Sequence, residues 1–381
     1  MPDNSGITLL VNGMRYSGWL GLGVERAIDR LGSHFSITVT EAWSGQDVPW
    51  QIGRFDGCQI LIDGQVVLTG YVDDYAPSYD AQSHTVTISG RSKTQDLVDC
   101  SPDISSGQFK GYTLGAIATS VCALFKIGTV QETDTSQTFP DATLQRGETG
   151  FTFLERLGRL AGVLLTDDEL GNLVLTRTGT KRAGGSLVHG VNILRARGKL
   201  SADKRFSHTI VKGQRAIGSA AGQSESGGGG DADPAPVATN LRAVALDRLV
   251  PRYRPKVCMA EAQQDAAAMQ QRANWMRNYA FGRSTECEID VLDYYDADGA
   301  LWRINRLIGV SDPWLQIDQD LLIAGVSFRI DDRGGRITTL RLGPVEGFTP
   351  DPGEVKAHCK HGKGHGHGHG ARGPDWDGAG M

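Results

Sequence analysis

The strongest constraint on the fold is an alternation of apolar and polar residues that recurs along the chain. In the segment HFSITVTEAW, Phe35, Ile37 and Val39 alternate with serine and threonine. A two-residue period sends successive side chains to opposite faces of a β-strand, so one face of such a strand is buried. The 50 glycines among the 381 residues are typical of a chain with many tight turns. Together, these features predict a β-rich architecture.

The first hundred residues contain a hairpin and a further strand. The segment CQILIDGQVVLTGYV is predicted to turn at Asp63-Gly64, because this dipeptide accepts the positive φ angles of a two-residue loop. The segment SHTVTISG alternates again and is predicted to bury Val86 and Ile88. We therefore expect residues 1–100 to form a compact antiparallel β-barrel domain.

After about residue 112 the period becomes helical. Apolar residues recur at the spacing of one helical face in YTLGAIATSVCALF and again in ETGFTFLERLGRLAG. The next segment, VLLTDDELGNLVLTR, is predicted to be a hairpin that turns at Gly171-Asn172. These elements predict a small α+β domain over residues 101–185.

Strand patterns return in the second half of the chain, around one interruption. The predicted strands lie in NILRARGKLS, FSHTIVKGQ, STECEIDVL and LLIAGVSFRIDDRGGRITTLRLG, and a helix is predicted over residues 259–281. Residues 217–240 are small or polar and cannot bury enough apolar surface to offset their ordering entropy. We expect residues 186–350 to form a second β-barrel domain with this flexible loop inserted, followed by a flexible tail over residues 351–381.

The two β-rich regions share a pattern. Residues 67–90 and residues 322–343 each contain an apolar run that reaches a glycine, an acidic hairpin, and an alternating strand that ends at a glycine. The glycines are Gly70, Gly90, Gly325 and Gly343. The match lies in pattern rather than identity, and it predicts two similar β domains in one chain.

The chain carries no local motif for nucleotide binding, acyl transfer or zinc-dependent hydrolysis. Its acidic clusters are Asp73-Asp74, Asp167-Asp168-Glu169 and Asp331-Asp332. They could supply the two carboxylates of a glycosidase only if two of them faced each other across a cleft. All three lie at predicted turns, where aspartate is common because turns are solvated. We interpret them as turn residues and predict no catalytic residue and no enzyme activity.

The other residue types that often carry chemistry also lack a local signature. The isolated histidines are interpreted as surface or packing residues, although a nucleophile–base pair can assemble in space; they are His34, His84, His189 and His208. Four tryptophans are interpreted as core or subunit-interface residues, because no basic residues interleave with them; they are Trp43, Trp50, Trp302 and Trp314. The six cysteines form no CxxC pair, so most are predicted to be small buried apolar residues.

A glycine-spaced run of histidines, HCKHGKGHGHGHG, lies in the tail at residues 358–370. Imidazoles and a thiol can bind Zn²⁺ or Ni²⁺. The glycine spacing makes closure around an ion entropically costly, and no carboxylate is placed to orient the imidazoles. We predict incidental metal affinity, no designed metal site and no cofactor. The residues concerned are His358, Cys359, His361, His365, His367 and His369.

Charge and hydropathy narrow the class of protein. The net charge of −5 at pH 7 argues against a protein that wraps nucleic acid, which needs a basic surface. The N-terminal segment MPDNSGITLLVNG has neither the basic start nor the apolar stretch of a signal peptide. No apolar run approaches the ~18–20 residues needed to cross a bilayer. We expect a protein that folds in a cytoplasm and has no stable membrane association.

Several segments resemble the baseplate hub proteins of Mu-like contractile-tailed bacteriophages. The resemblance extends in order from about residue 5 to about residue 354 and leaves out the loop and the tail. The segments that carry it are VVLTGYVDDYAPSYDAQSHTVTISGRSKTQDLVDCS, GNLVLTRTG, DKRFSHTIVKGQ and RLGPVEGFTPDPGE, at residues 66–101, 171–179, 203–214 and 341–354. The family has no catalytic residues to carry over to this chain.

The resemblance implies a structural virion protein that joins the sixfold tail tube to the threefold membrane-piercing spike. Three chains with two tube-type β-barrels each would form a trimeric ring with pseudo-sixfold symmetry around the DNA ejection channel. The implied partners are the central spike trimer, the tail tube or distal tube initiator proteins and other baseplate proteins. Genomic DNA would pass through the channel without specific binding. The protein would be assembled in the cytoplasm of the bacterial host and located in the tail baseplate, with its own tail as a contact arm.

Three other interpretations stay open at this point. The chain could be a type VI secretion spike-like component, although it lacks the long repetitive C-terminal β-helix of such spikes. It could be a tail-associated peptidoglycan hydrolase that uses Asp167, Asp168 or Glu169. It could also store or deliver metal through the tail; deleting residues 355–381 would then abolish its function, whereas a hub would still trimerise.

Overall fold

The computed structural model describes residues 6–16, 19, 21–40, 52–80, 84–179, 181–215, 239–260, 266–331 and 335–351. Strands far outnumber helices, which confirms the predicted β-rich, multidomain architecture. The strands are β1 Ile7–Val11, β2 Met14–Tyr16, β3 Gly21–Ala27, β4 His34–Thr40, β5 Gly57–Ile62, β6 Gln65–Tyr79, β7 His84–Ser92, β8 Gln108–Phe109, β9 Tyr112–Thr113, β10 Thr129–Gln131, β11 Thr138–Phe139, β12 Ala142–Thr143, β13 Leu164–Asp167, β14 Leu173–Thr176, β15 Lys181–Val188, β16 Arg195–Leu200, β17 His208–Arg215, β18 Thr239–Leu246, β19 Pro255–Met259, β20 Thr285–Leu292, β21 Arg306–Asp312, β22 Ile317–Asp331 and β23 Gly335–Gly343. The helices are α1 Gln95–Asp99, α2 Leu114–Leu124, α3 Gly150–Ala161, α4 Ala266–Gly282 and a short 3-10 helix, Val345–Phe348.

Thirteen of these strands form the main sheet. Eleven follow one another in the order β16-β20-β23-β22-β3-β4-β7-β6-β5-β1-β2, while β21 pairs with β22 and β15 pairs with β21. The predicted alternation is confirmed, because Phe35, Ile37 and Val39 are all buried in one continuous core. The predicted hairpin is also confirmed, since Asp63 and Gly64 both have positive φ angles between β5 and β6.

The expected pair of separate, closed barrels is not what the described residues show. The 15-residue strand β22 pairs with β21 through its first half and with β3 through its second half, while β23 lies along its other side. The first and last groups of strands are thereby joined edge to edge in one sheet and share one core. In the described part of the chain this strand path stays open.

The segments 67–90 and 322–343 lie within two groups of strands that have the same order. The order β3-β4-β7-β6-β5 is matched by β16-β20-β23-β22-β21, with antiparallel pairing at each step. Both long strands are 15 residues, and both carry a β-bulge, between Val72 and Asp74 in β6 and between Ile323 and Gly325 in β22.

The glycines of the two patterns do not occupy equivalent positions in the repeat. When the two bulges are superposed, Gly90 opposite Val72 corresponds to Leu342 opposite Ile323. The backbone hydrogen bonds to the residue before each bulge match as well. The N–H of Phe55 donates to the carbonyl oxygen of Val72, and the N–H of Asn305 donates to that of Ile323. Bulge position, rather than glycine position, therefore defines the repeat.

Residues of the segment predicted to be a small α+β domain form a hydrophobic core of their own. Thr113 caps the N-terminus of α2, because its hydroxyl accepts a hydrogen bond from the backbone N–H of Ala116, and Gly162, in the left-handed conformation, follows the last residue of α3. Helices α2 and α3 pack against each other around Ile117 and Phe153, both fully buried, with α2 beside β10 and α3 beside β13. The predicted hairpin forms with a five-residue loop after Asp167.

A third unit places α4 on a three-stranded sheet of order β18-β17-β19. Its core contains Val211, Ala243 and Met269. The predicted helix over residues 259–281 starts too early, because Met259 ends β19 and α4 begins at Ala266. Most of the predicted loop at 217–240 and nearly all of the tail lie outside the described residues. No described helix is long and apolar enough to cross a bilayer.

Candidate functional site: the Asp167 cluster and the sheet edges

A buried carboxylate, Asp167, links the small domain to the main sheet through hydrogen bonds. It is the last residue of β13 and is 3% exposed. Ser33, just before β4, donates its backbone N–H at 3.1 Å and its hydroxyl at 2.9 Å to Asp167 Oδ2, and the Ser92 hydroxyl donates to the same oxygen at 2.8 Å. These donors compensate the cost of burying the charge.

A buried arginine completes the cluster. Arg26, in β3, donates to the Asp167 backbone oxygen and to Glu169 Oε1, each at 2.7 Å. Arg303 approaches Glu169 to 3.5 Å from the side of the main sheet. Burial opposes the charge on Arg26, but the nearby carboxylates outweigh it and raise the pKa of the guanidinium. The charged groups of the cluster are therefore stabilised by pairing with one another.

The sequence-based interpretation of the acidic clusters as solvated turn residues is wrong for two of them. Asp167 is buried, and only Asp168 caps the hairpin loop, by accepting bonds from Leu170, Asn172 and the Asn172 side chain. Asp73 and Asp74 lie at the bulge of β6, not at a turn. The third cluster begins with Asp331 at the end of β22, and Asp332 lies outside the described residues.

This geometry does not favour a hydrolase built on Asp167, Asp168 and Glu169. Serine donors and Arg26 occupy the Asp167 carboxylate, and Glu169 pairs with two arginines. No histidine contacts the cluster among the described residues. A carboxylate pair needs open space for a sugar and water between its members, and here arginine fills the gap between Asp167 and Glu169.

The histidines lie apart from one another. His34 is 3.2 Å from Glu25, His189 is 3.4 Å from Asp312, and His208 contacts the adjacent Ser207 hydroxyl at 2.9 Å. The side chain of His84 lies outside the described residues. The structure brings no two of the described histidine side chains into one site.

The tryptophans and cysteines divide between core and surface. Trp302 is buried in the main core, as predicted, whereas Trp314 is 86% exposed; Trp43 and Trp50 lie outside the described residues. Three thiols are buried as predicted, and burial raises the pKa of each to about 12; they belong to Cys58, Cys122 and Cys287. Cys100 is exposed. In the described part of the chain, no group of three or more histidine, cysteine or acidic residues could hold a metal ion.

Several strand edges of the main sheet have no strand partner among the described residues. One is the outer edge of β16, which ends the strand path and has mostly exposed side chains. Strand β2 ends the path on the other side, and β15 pairs with β21 alone. Open edges present unpaired N–H and C=O groups, so they are ready sites for strand addition. The sequence alone does not reveal these edges, because an edge strand differs from a central strand only in having no neighbouring strand on one side.

The Asp167 cluster predicts a pH-dependent contribution to stability. Burial alone would raise the pKa of Glu169, but Arg26 and Arg303 together lower it below the ordinary value. A lowered pKa in the folded state means that the contribution is present at neutral pH and is lost as the pH falls through the folded-state pKa.

We expect Glu169→Gln to be less stable than the parent at pH 7, with the difference shrinking as the pH falls below ~4.3. Urea unfolding across the pH range measures this difference. Glu155→Gln, which removes a carboxylate from the exposed pair with Arg159, is the matched control. A Glu169→Gln deficit that does not change with pH would contradict the assignment.

The chain is similar to proteins of known families. Three family models match in order along the chain. They are the N-terminal domain of Mu phage baseplate assembly protein GpP-like proteins at residues 6–92, the second domain of baseplate hub protein gp44-like proteins at residues 94–177, and the fourth domain of Mu phage baseplate assembly protein GpP at residues 265–351.

Individual relatives cover nearly the whole chain. The chain is 31% identical to the baseplate hub protein gp44 of Escherichia phage Mu over 348 residues, which are 90% of this chain and 88% of the relative. The 43 kDa tail protein of prophage MuSo2 from Shewanella oneidensis has a similar structure, with a TM-score of 0.78, 35% identity, and coverage of 90% of this chain and 99% of that one. The E. coli c3393 protein, a component of the type VI secretion system, shares the fold alone, with a TM-score of 0.53, 10% identity, and coverage of 88% and 76%.

Proposed function

The chain belongs to the family of the baseplate hub protein gp44 of phage Mu, and on this premise we propose that it is the central hub of a contractile tail baseplate. Family membership rests on 31% identity across 90% of the chain. It makes the chain a hub-like structural protein of phage tails.

In this proposal three copies form a homotrimeric ring. Each chain contributes two copies of one strand topology, so three chains would present six similar units to the tail tube. The single observation that carries the proposal is this repeat, since a threefold assembly can match a sixfold tube only if each chain supplies two equivalent units. The four-part division into residues 1–100, 101–185, 186–350 and 351–381 is part of the proposal.

The hub would join the tail tube or distal tube initiator proteins on one side to the central spike trimer on the other. Other baseplate proteins would surround it, and genomic DNA would pass through the central channel without specific binding. Assembly would take place in the cytoplasm of the bacterial host, and the mature location would be the virion tail. Likeness to a type VI secretion component extends to the fold, which supports a shared tube-and-spike design and no more.

Mass measurement in solution tests the proposal. We expect a stable particle of three chains, each of 40.9 kDa, and ring-shaped particles in electron microscopy with six similar lobes. Deleting residues 355–381 should leave the trimer intact. A stable monomer, or an assembly without a ring, would overturn the hub proposal.

A further inference from the structure

We propose that the third unit, built from β17, β18, β19 and α4, carries a surface that binds an anionic phospholipid bilayer. This surface consists of the sheet face opposite α4 together with residues 247–254, which connect β18 to β19, and it is called the basic face below. The inference goes beyond the proposed hub function and does not depend on the trimer.

The third unit concentrates positive charge in a chain that is acidic overall. Residues 204–259 contain nine lysines and arginines and four acidic residues, whereas the whole chain has a net charge of −5. Three of these acidic residues belong to the predicted loop and lie outside the described residues. The fourth, Asp247, accepts hydrogen bonds from Arg205 at 2.7, 2.9 and 3.0 Å. The described part of this segment therefore presents mainly basic charge to its surroundings.

Strand register places two basic side chains side by side on the sheet face opposite α4. Lys212 in β17 lies directly opposite Arg242 in β18. The next residue, Gly213, faces α4, since a Cβ there would lie 3.0 Å from the sulfur of Met269, so Lys212 faces away from the helix. Like charges directly opposite one another destabilise an antiparallel pair, and no ion pair joins either residue to an acidic side chain among the described residues. An anionic ligand would relieve this repulsion.

Exposed apolar side chains adjoin these two charges. On the same sheet face, Val257 and Met259 of β19 lie beside Ile210 and Lys212 of β17. Val257, Met259 and Leu246 are each about half exposed. Helix α4 packs on this sheet from the other side, around Val211 and Ala243. The sheet face opposite the helix thus carries apolar surface that gains free energy when it leaves water.

The connection between β18 and β19 adds further basic and apolar side chains at one end of this face. Leu249 and Tyr253 are 71% and 78% exposed, and each follows an exposed arginine, Arg248 or Arg252. The ring of Tyr253 meets that of His208 edge to face, with centroids 5.4 Å apart. Because His208 and Lys212 are four residues apart in one strand, they point to the same side of the sheet. The connection and the sheet therefore form one continuous surface.

Hydrogen bonds hold both ends of this connection in place. The backbone N–H of Leu249 donates to Asp247 Oδ1 at 3.1 Å, and the backbone N–H of Arg254 donates to the Ser207 hydroxyl at 2.8 Å. The backbone N–H of Ser207 donates in turn to the carbonyl oxygen of Arg254 at 3.0 Å. Since the backbone is already ordered, little conformational entropy is lost when the exposed side chains bind.

The mixture of apolar and basic side chains favours a bilayer over a nucleic acid or a protein. At a membrane surface, apolar and aromatic side chains enter the boundary between headgroups and acyl chains, while lysine and arginine attract anionic lipids. Aliphatic side chains such as Leu249 and Met259 gain little from phosphates or from stacking on bases. The core of a protein interface is depleted of charge, whereas Lys212 and Arg242 directly adjoin the apolar side chains here. A surface with these few side chains predicts reversible binding, as expected of a protein without stable membrane association.

Vesicle co-sedimentation of the full chain tests this inference. We expect binding to vesicles of phosphatidylglycerol and phosphatidylethanolamine, and binding at least about tenfold weaker to vesicles of phosphatidylcholine alone, because only the first kind carries net negative charge. Binding to the anionic vesicles should weaken by about tenfold between ~0.1 M and ~1 M salt, since the Debye length shortens from ~10 to ~3 Å.

Two variants of the basic face separate the contributions of charge and apolar contact. Arg248→Glu/Arg252→Glu should weaken binding to anionic vesicles by at least about tenfold, because each basic side chain near the surface contributes to the attraction. Leu249→Ser should also weaken it by about tenfold, through the loss of a buried apolar side chain. Unchanged circular dichroism shows that each variant is folded.

Matched controls change the same residue types elsewhere. Lys110→Glu/Arg146→Glu and Leu170→Ser alter exposed positions of the small α+β domain and should bind vesicles like the parent. Deleting residues 355–381 removes the lysines and histidines of the tail, which could attract anionic lipids by themselves, and should also leave binding unchanged.

Several results would overturn the inference. One is a chain that does not bind anionic vesicles, or that binds them equally well after either change in the basic face. Another is loss of binding on deletion of residues 355–381, which would assign the lipid contact to the tail. Tighter binding to duplex DNA than to vesicles, with no effect of Leu249→Ser, would assign the surface to nucleic acid instead. The hub proposal would stand in each case, because the mass of the particle in solution tests it separately.

Discussion

Replacing Asp167 with alanine is expected to destabilise the folded chain by about 3–5 kcal/mol, because removing one partner from a buried charged cluster leaves the others unsatisfied. The hydroxyls of Ser33 and Ser92 would lose their acceptor, and Arg26 would lose one of its two neighbouring carboxylates. The contacts between the small domain and the main sheet would weaken with them. Urea unfolding of the purified protein at pH 7 measures the loss.

Asp320→Ala is the matched control for this prediction. Asp320 also pairs with an arginine, Arg182, through two hydrogen bonds of 2.6 and 2.7 Å, but the side chains are 49% and 57% exposed. Exposed pairs contribute little because solvent screens them and both side chains lose rotational freedom. Similar unfolding midpoints for the two variants would show that the Asp167 cluster does not fasten the domains.

Replacing Gly70 with alanine is expected to destabilise the protein by about 3 kcal/mol, since the added methyl group has no room and its neighbours cannot move aside. A Cβ at Gly70 would lie 1.8 Å from the Arg91 carbonyl oxygen and 2.7 Å from the Arg91 carbonyl carbon. Both atoms belong to the backbone of β7, which is held by β4 on its other side. The bulge after Val72 would have to shift for the alanine to fit.

Gly57→Ala provides the control within the same sheet. Gly57 lies in β5, which pairs with β6 beside Gly70, and a Cβ there meets no atom within 4 Å. We expect this change to alter stability by about 0.5 kcal/mol or less. Thermal unfolding of both variants, together with their circular dichroism at 20 °C, distinguishes a steric effect from a general intolerance to alanine. Equal melting temperatures would contradict the close approach of β6 and β7.

Local pattern predicted much of the secondary structure. The alternation around Ile37 and Ile88 predicted strands whose inward faces are fully buried, and the dipeptide Asp63-Gly64 predicted a two-residue hairpin. The helical spacing around Ile117 predicted α2. These features depend on residues close in sequence, so their physical causes are visible in a short segment.

Local pattern failed where the outcome depends on distant segments. The acidic run at Asp167 has the composition of a turn, yet its first residue is buried because Ser33, 134 residues earlier, supplies donors to it. The predicted helix over residues 259–281 starts too early because Met259 is the last residue of β19 and pairs with Lys212, which is distant in sequence. The glycines of the repeated pattern are not equivalent positions, because superposing the β-bulges places Gly90 with Leu342 rather than with Gly343.

By itself, the sequence determined which segments are strands and helices, the presence of a repeated β pattern, and the family to which the chain belongs. Only the tertiary structure decided that β22 joins both halves in one sheet, that Asp167 is buried and bonded to residues of the main sheet, and that β16 ends the strand path of the described residues. The reason is physical: side-chain periodicity is a local property, whereas the hydrogen bonds that pair strands use the same N–H and C=O groups at every residue. Which strand finds which edge is therefore decided by packing across the whole chain.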